Sequence, residues 1–178
     1  IFGHWNADWK AWSVKTHDRK VGCVFHIDTV SSWLHLRACC NRSEWFGEAA
    51  RVIAESMVKL SEQHALNKTV HLIPPAYTAD NDKAIVNAQF KKLTEILGIK
   101  IILSAEYTPD ENVKAERVIY TVDSHARTMI TAECAPPSFV FAAYLNFQYA
   151  YHRFNHRGNK DQKPPIMITT GSPGSGAG

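Results

Sequence analysis

The order of strand-like and helix-like patterns restricts this chain to a small set of folds. Three segments near the N-terminus are typical of strands joined by turns, namely residues 4–14, Gly22–Asp28 and Trp33–Cys39. Helical and strand patterns then follow in alternation. The predicted order is three strands, a helix, a strand, a helix, a strand and two helices. Such an order favours an α/β domain, with one sheet and helices on both of its faces.

Apolar spacing and breaker residues place the later elements. The first helix is predicted to open at Ser43, a natural N-cap, and to end near residue 67. A short buried strand is predicted over Thr69–Ile73, ended by Pro74 and Pro75. The remaining predictions are a helix over 84–97, a strand over 99–103, a helix from Pro109 to about 133 and a helix over 138–154.

Composition limits the class of protein without assigning a function. The chain has 178 residues, 45% of them hydrophobic, enough for the core of one domain. No apolar run reaches the roughly 18 residues that a membrane span needs, and no signal peptide is visible. Four cysteines without a CxxC pair favour a reduced, intracellular protein, with Cys23 and Cys134 in apolar surroundings. The apolar start at Ile1 is expected of a fragment of something longer.

The formal net charge of +3 is only mildly basic, but positive residues cluster late in the chain. Such a cluster can meet a phosphate backbone, or it can be a solvated tail. We expect residues 1–157 to form the core and residues 158–178 to be a flexible basic and Gly/Ser-rich tail. The clustered residues are Arg153, His156, Arg157, Lys160 and Lys163.

The most specific motif runs from Glu106 to Arg117 and reads Glu-Tyr-Thr-Pro-Asp-Glu-Asn-Val-Lys-Ala-Glu-Arg. It resembles the Tyr-Thr-Pro-x-x-Asn-Gly-x-Ala-Glu-Arg segment of retroelement integrases, particularly the copia type. That segment carries the family's catalytic glutamate, which corresponds to Glu116. The resemblance implies an RNase H-like fold with a mixed five-stranded sheet flanked by helices, in agreement with the element order.

The resemblance also implies a catalytic and metal-binding triad of Asp8, Asp80 and Glu116. Asp8 lies among tryptophans on the first strand, where its carboxylate needs a partner, either a metal ion or a salt bridge. Asp80 precedes Glu116 by the spacing that the family favours. Carboxylates suit Mg²⁺ or Mn²⁺, and two such ions can drive an in-line phosphoryl displacement.

The second aspartate has two alternative alignments. The family has a glycine shortly after this aspartate, whereas this chain continues Asp80-Asn81-Asp82-Lys83. Counting forward from the strand predicted at Thr69–Ile73 instead puts Ile73–Ala76 at the aspartate position, which leaves the metal site broken. Val113 also replaces a family glycine. Both alignments stay open from the sequence.

Three functions follow from these alternatives. The first is an integrase core that joins retroelement DNA 3′ ends to target DNA in the nucleus, with DNA contacts from Lys114, Arg117, Arg153, Arg157 and Lys160. We further expect the core to form a homo-oligomer through the aromatic last helix and to bind a host chromatin or nuclear protein. No membrane partner is expected. The second is an inactive, domesticated integrase-like domain that binds protein or DNA. The third is an RNase H-like nuclease. The aromatic residues meant are Phe139, Phe141, Tyr144, Phe147 and Tyr151.

Overall fold

The computed structural model of the chain describes residues 3–64, 74–80, 88–104 and 113–170. Its centre is a five-stranded sheet in the order β3-β2-β1-β4-β5. The pairs β1–β2 and β2–β3 are antiparallel, whereas β1–β4 and β4–β5 are parallel, so the sheet is mixed, as predicted. The strands are β1 Trp5–Ala11, β2 Gly22–Asp28, β3 Leu34–Cys39, β4 Ala76–Asp80 and β5 Lys100–Ser104.

In the described part of the chain, four main helices and one short one flank the sheet. They are α1 Trp45–His64, α2 Ala88–Ile96, α3 Val113–Ala132, α4 Val140–Tyr151 and the short α5 Pro165–Thr170. A single 3-10 turn, Arg42–Glu44, precedes α1, and its N-cap is Asn41 rather than Ser43. The Asn41 side chain accepts a hydrogen bond from the Glu44 backbone N–H at 3.2 Å, while the Ser43 hydroxyl donates to the Asn41 side chain instead.

The fourth strand of the described sheet is Ala76–Asp80, a segment that the sequence pattern did not predict as a strand. The strand predicted at Thr69–Ile73 falls outside the described residues, and β4 begins immediately after Pro75. The Lys100 backbone N–H donates to the Pro75 carbonyl at 3.0 Å, which starts the parallel ladder between β4 and β5. Pro74 and Pro75 therefore directly precede a strand of the sheet.

Each face of the sheet has its own apolar core. Trp5 and Ala7 of β1 pack with Tyr77 of β4 in the core beneath α1 and α2. Phe25 and Ile27 of β2 lie in the opposite core, beneath α3 and α4. Since side chains alternate along a strand, the residues between Trp5, Ala7 and Trp9, among them the polar Asn6 and Asp8, face the α3 and α4 side of the sheet.

The chain after residue 157, expected to be a flexible tail, is described as far as Thr170 and packs on the core. Asn159 is buried and accepts a hydrogen bond from the Ser32 hydroxyl at 2.7 Å. Its amide donates to the carbonyls of Ser31 and Lys163, each at 2.9 Å. These bonds attach the segment to the turn between β2 and β3. Residues 171–178 lie outside the described part.

The cysteines are free, and they do not all lie in the core. Cys23 and Cys39 are buried, while Cys40 is exposed. Cys134 is also exposed, contrary to the sequence-based expectation, because it follows the end of α3 in a turn with a positive φ of 48°. Within the described ranges, no helix is both long and apolar enough to cross a membrane.

Candidate functional site

The first two predicted acidic positions lie side by side on neighbouring parallel strands. Ala7 of β1 pairs with Ala79 of β4, and one step farther along come Asp8 and Asp80. Asp80 is the last residue of β4. Because paired strands lie about 4.8 Å apart, the backbones at positions 8 and 80 are close neighbours. The side chain of Asp80 lies outside the described part of the structure.

The Asp8 carboxylate faces the α3 side of the sheet. Asp8 pairs across the antiparallel ladder with Phe25, whose ring lies in the core beneath α3 and α4. Directly opposite residues of such a pair share a face. Asp8 is half-buried, and its Oδ1 accepts a hydrogen bond from the Trp9 backbone N–H at 2.6 Å. That bond fixes one oxygen of the carboxylate on the strand.

Helix α3 crosses the strand that carries Asp8. Near the start of α3, the Lys114 ammonium donates to the carbonyls of Asp28 and Thr29 at 3.1 and 2.7 Å. Asp28 pairs with Trp5, so this contact fixes the helix over the beginning of β1. Farther along, Asp123 lies 3.8 Å from the Lys10 ammonium. The two contacts place the first turn of α3 over the beginning of β1 and its middle near Lys10.

Glu116 lies in the first turn of α3 and is exposed. The buried face of this helix carries Ala115, Val118, Val122 and Ala126. Glu116 therefore lies beside the packed face, at the end of the helix that crosses β1. The structure thus brings position 116 to the side of the sheet that Asp8 faces, and it leaves this carboxylate open to solvent.

Asp28 is a structural carboxylate that shapes the turn after β2. It is 1% exposed, and its two oxygens accept three hydrogen bonds. Gly3 N–H donates to Oδ1, and the backbone N–H and hydroxyl of Ser31 both donate to Oδ2, all at 2.6 Å. This turn presents the carbonyls to which Lys114 is bound. The turn therefore indirectly supports the helix that carries Glu116.

The residues predicted to contact DNA occupy different environments. The Lys114 ammonium donates to backbone carbonyls. The pKa of Lys114 is lowered, because the effect of burial exceeds the opposing effect of the nearby Asp28 carboxylate. Arg117 is exposed on α3, and Arg157 is exposed after α4. The Arg153 guanidinium lies 3.5 Å over the Tyr149 ring and donates to the Tyr149 carbonyl. The Lys160 side chain is outside the described part. DNA contact by these five residues stays a prediction.

The pair His152 and His156, at helical spacing, does not form a metal site. His152 is buried, its ring stacks on Trp33 at 3.9 Å, and its Nε2 contacts the Leu34 backbone. His156 instead bonds through Nε2 to the Tyr151 carbonyl at 2.8 Å. Within residues 3–64, 74–80, 88–104 and 113–170, no three His, Cys, Asp or Glu side chains are grouped as metal ligands.

Sequence reasoning also missed a groove between α3 and α4 with a volume of about 480 Å³. The aromatic residues of α4 were assigned to self-association, but Tyr144 and Phe147 are buried against α3 and cannot meet another subunit there. The signal for the groove is the spacing of four residues that separates Arg117, Thr121 and His125 along one side of α3.

Comparison with known proteins establishes the fold. No family model and no curated protein matches the sequence. A protein in the cryo-EM structure of the simian T-cell lymphotropic virus intasome, in complex with PP2A regulatory subunit B56 gamma, superimposes with a TM-score of 0.72 at 16% identity. The match covers 97% of this chain but 55% of that protein, so this chain spans about half the length of its relative.

Two isolated catalytic cores match over nearly their whole length. The HTLV-2 integrase catalytic core domain, in its trimeric form with magnesium, gives a TM-score of 0.61 at 14% identity and covers 94% of this chain and 95% of that one. The BIV integrase catalytic core domain gives 0.58 at 16%, covering 93% and 92%. The chain has the RNase H-like fold of these cores, a mixed five-stranded sheet flanked by helices.

Proposed function

We propose that this chain is an integrase-type polynucleotidyl transferase core that joins the 3′ ends of a retroelement's DNA to target DNA. The observation that carries the proposal is that β4 ends at Asp80, one register step beyond the Ala7–Ala79 pair and beside Asp8. This position of β4 favours Asp80 over the alternative alignment at Ile73–Ala76. The similarity to integrase catalytic cores supports the reaction class, and the copia-type motif around Glu116 supports the lineage.

The residues fit divalent cations by their chemistry. Asp8, Asp80 and Glu116 would supply the carboxylate oxygens that Mg²⁺ or Mn²⁺ prefers, and the exposure of Glu116 leaves room for the waters that Mg²⁺ retains. The HTLV-2 cores, solved with magnesium, support this choice of ion. Two such cations held there would supply activation of an attacking 3′-hydroxyl and stabilisation of the leaving oxygen.

The chain's own residues would position the reacting groups. The Trp9 N–H orients the Asp8 carboxylate, and Lys114 holds the first turn of α3 against the end of β2. We assign Lys114 as a positioning residue for Glu116. The exposed guanidinium groups of Arg117 and Arg157 are available to phosphates, where such contacts mainly fix the register of the DNA.

We further propose that the core works as a homo-oligomer in the nucleus, together with a host chromatin or nuclear protein. The HTLV-2 core was solved in trimeric and dimeric forms, and the simian virus intasome includes a regulatory subunit as its partner. On this chain, Leu145 and Tyr149 of α4 are 44% and 62% exposed and offer an apolar surface to a second copy.

The first test is a Mn²⁺ titration of the wild-type chain, Glu116→Gln and Glu95→Gln, read by thermal shift and by paramagnetic NMR broadening. Glu95 is an exposed glutamate of α2, beyond the other face of the sheet, and is the matched control. Saturable binding that Glu116→Gln abolishes and Glu95→Gln retains is expected. Strand transfer with an oligonucleotide duplex should be lost in the same variant. Equal binding by all three proteins would contradict the assignment of Glu116.

The second candidate is an inactive, domesticated domain that binds protein or DNA. It is motivated by the sequence Asp80-Asn81-Asp82-Lys83, which lacks the glycine that the integrase pattern has after its second aspartate. Such a domain would bind DNA or a protein without binding Mn²⁺ at Glu116. Cleavage of an RNA–DNA hybrid without strand joining would instead indicate the nuclease.

A further inference from the structure

A groove of about 480 Å³ runs between α3 and α4 on the side of the sheet that Asp8 faces. This volume lies within the roughly 300–1,000 Å³ of typical small-ligand sites. Arg117 lines the groove and directly follows Glu116 in the chain. The groove therefore opens beside the first turn of α3, where the candidate catalytic glutamate lies.

The wall of the groove is a continuous row of rings. His125 lies 4.9 Å from Phe147, Phe147 lies 5.5 Å from Tyr151, and Tyr151 lies 4.1 Å from His156, measured between ring centroids. Phe154 adds a fifth ring that is 67% exposed. A partly exposed aromatic row of this kind is a stacking surface for a flat ring, and every nucleobase presents such a face.

The polar groups of the groove favour an anion. Among the described residues that line it, none is acidic, and Arg117 contributes a permanent positive charge. Burial raises the pKa of Tyr151 to about 12, so its phenol stays protonated at neutral pH. A ligand with a flat ring and a negative charge matches both the wall and the charge.

We propose that this groove binds an unpaired nucleotide of a DNA strand, with the base against Tyr151 and Phe154 and a phosphate on Arg117. The inference rests on the proposed function, and it adds a place for a strand that leaves the duplex beside Glu116. A paired base is not an occupant, because its faces are already covered by its neighbours in the duplex.

The test uses a single-stranded DNA pentamer with 2-aminopurine at its centre, whose fluorescence falls when the base stacks on an aromatic ring. The full chain is titrated against the pentamer in EDTA, so that binding does not depend on metal or catalysis. Phe154→Ala and Arg117→Gln should each weaken binding by about tenfold, the scale expected for one lost stacking or charge contact. Phe154 and Arg117 are exposed, so both variants are expected to fold.

Two matched variants serve as controls. Ile96→Ala truncates an apolar residue that is 73% exposed on α2, and Arg51→Gln removes an exposed arginine on α1. Both lie beyond the opposite face of the sheet and should bind the pentamer like wild type. Quenching that is absent, or equal in all five proteins, would overturn the proposal.

Two further outcomes would also overturn it. A duplex with 2-aminopurine in a base pair could show the same loss in the two groove variants, which would mean that unpaired DNA is not what the groove selects. A labelled acidic peptide could lose affinity in those variants while the pentamer does not, which would assign the groove to a protein partner. Pentamer binding that survives a failed strand-transfer assay separates this inference from the proposed activity.

Discussion

His26 should make the stability of this protein sensitive to mild acid. It lies in the middle of β2, opposite Ala7, and is 1% exposed. Its ring lies 5.7 Å from that of Tyr77, and neither ring nitrogen has a hydrogen-bond partner among the described residues. Burial, followed by the positive charge of Arg37, lowers the pKa of His26 from 6.5 to about 3.

The sign of the effect follows from this lowered pKa. Well above pH 6.5 the imidazole is neutral in both the folded and the unfolded chain, so its protonation does not change the free energy of unfolding. As the pH falls from about 6.5 toward 3, His26 becomes protonated in the unfolded chain but stays neutral in the folded chain. The free energy of unfolding therefore decreases. Between pH 7 and pH 5 this loss amounts to about 2 kcal/mol, since each pH unit contributes about 1.4 kcal/mol.

The assay is urea unfolding of wild type and His26→Leu at pH 7 and pH 5. Leucine cannot be protonated. Between the two pH values, the free energy of unfolding of the variant should therefore fall by about 2 kcal/mol less than that of wild type. His26→Phe keeps a ring at this position and should behave in the same way. Identical losses in wild type and His26→Leu would refute the reasoning.

Two other contacts yield predictions about the supports of the site. Lys114→Met removes the bonds to the carbonyls of Asp28 and Thr29 and should lower the free energy of unfolding by about 1–3 kcal/mol, measured in urea. A loss of DNA affinity beyond the loss of folded protein would instead support the phosphate contact predicted from the sequence. Asn159→Ala removes three side-chain hydrogen bonds, one of them to Ser32. It should lower the free energy of unfolding, measured by thermal unfolding, by about 2–3 kcal/mol. An unchanged melting temperature would show that the segment after residue 157 does not contribute to the stability of the core.

The antiparallel part of the sheet and its flanking helices could be predicted because their signals are local. Residues Gly22–Asp28 were predicted with their observed bounds, since turns enclose a run of strand-forming residues. Helices α3 and α4 follow from apolar spacing and from the break at Pro136 and Pro137. In each case the side chains that specify the element lie within it, so the pattern can be recognised without knowing its neighbours.

The sequence pattern did not indicate a strand at Ala76–Asp80, because the signal of β4 is not local. Thr69–Ile73 is the more apolar run, and Pro75 precedes Ala76 directly, so local propensity favours the earlier segment. What specifies β4 is its position between β1 and β5, where Tyr77 and Ala79 enter the core beneath α1 and α2. Parallel pairing joins residues that are far apart in sequence, so no local pattern indicates which strands will pair. The same pairing puts Asp80 beside Asp8, an adjacency that the resemblance implied but that no local pattern could show.

The replacement of a family glycine by Val113 does not argue against catalysis. A glycine is required where φ is positive or where another backbone approaches closely. Val113 is the first residue of α3, is half-buried, and is not among the described residues with positive φ. Any L-residue adopts the helical φ at such a position, so no glycine is required there. Of the two departures from the integrase pattern, only the one at Asp82-Lys83 bears on the proposed metal site, and the Mn²⁺ titration of Glu116→Gln tests whether such a site tolerates it.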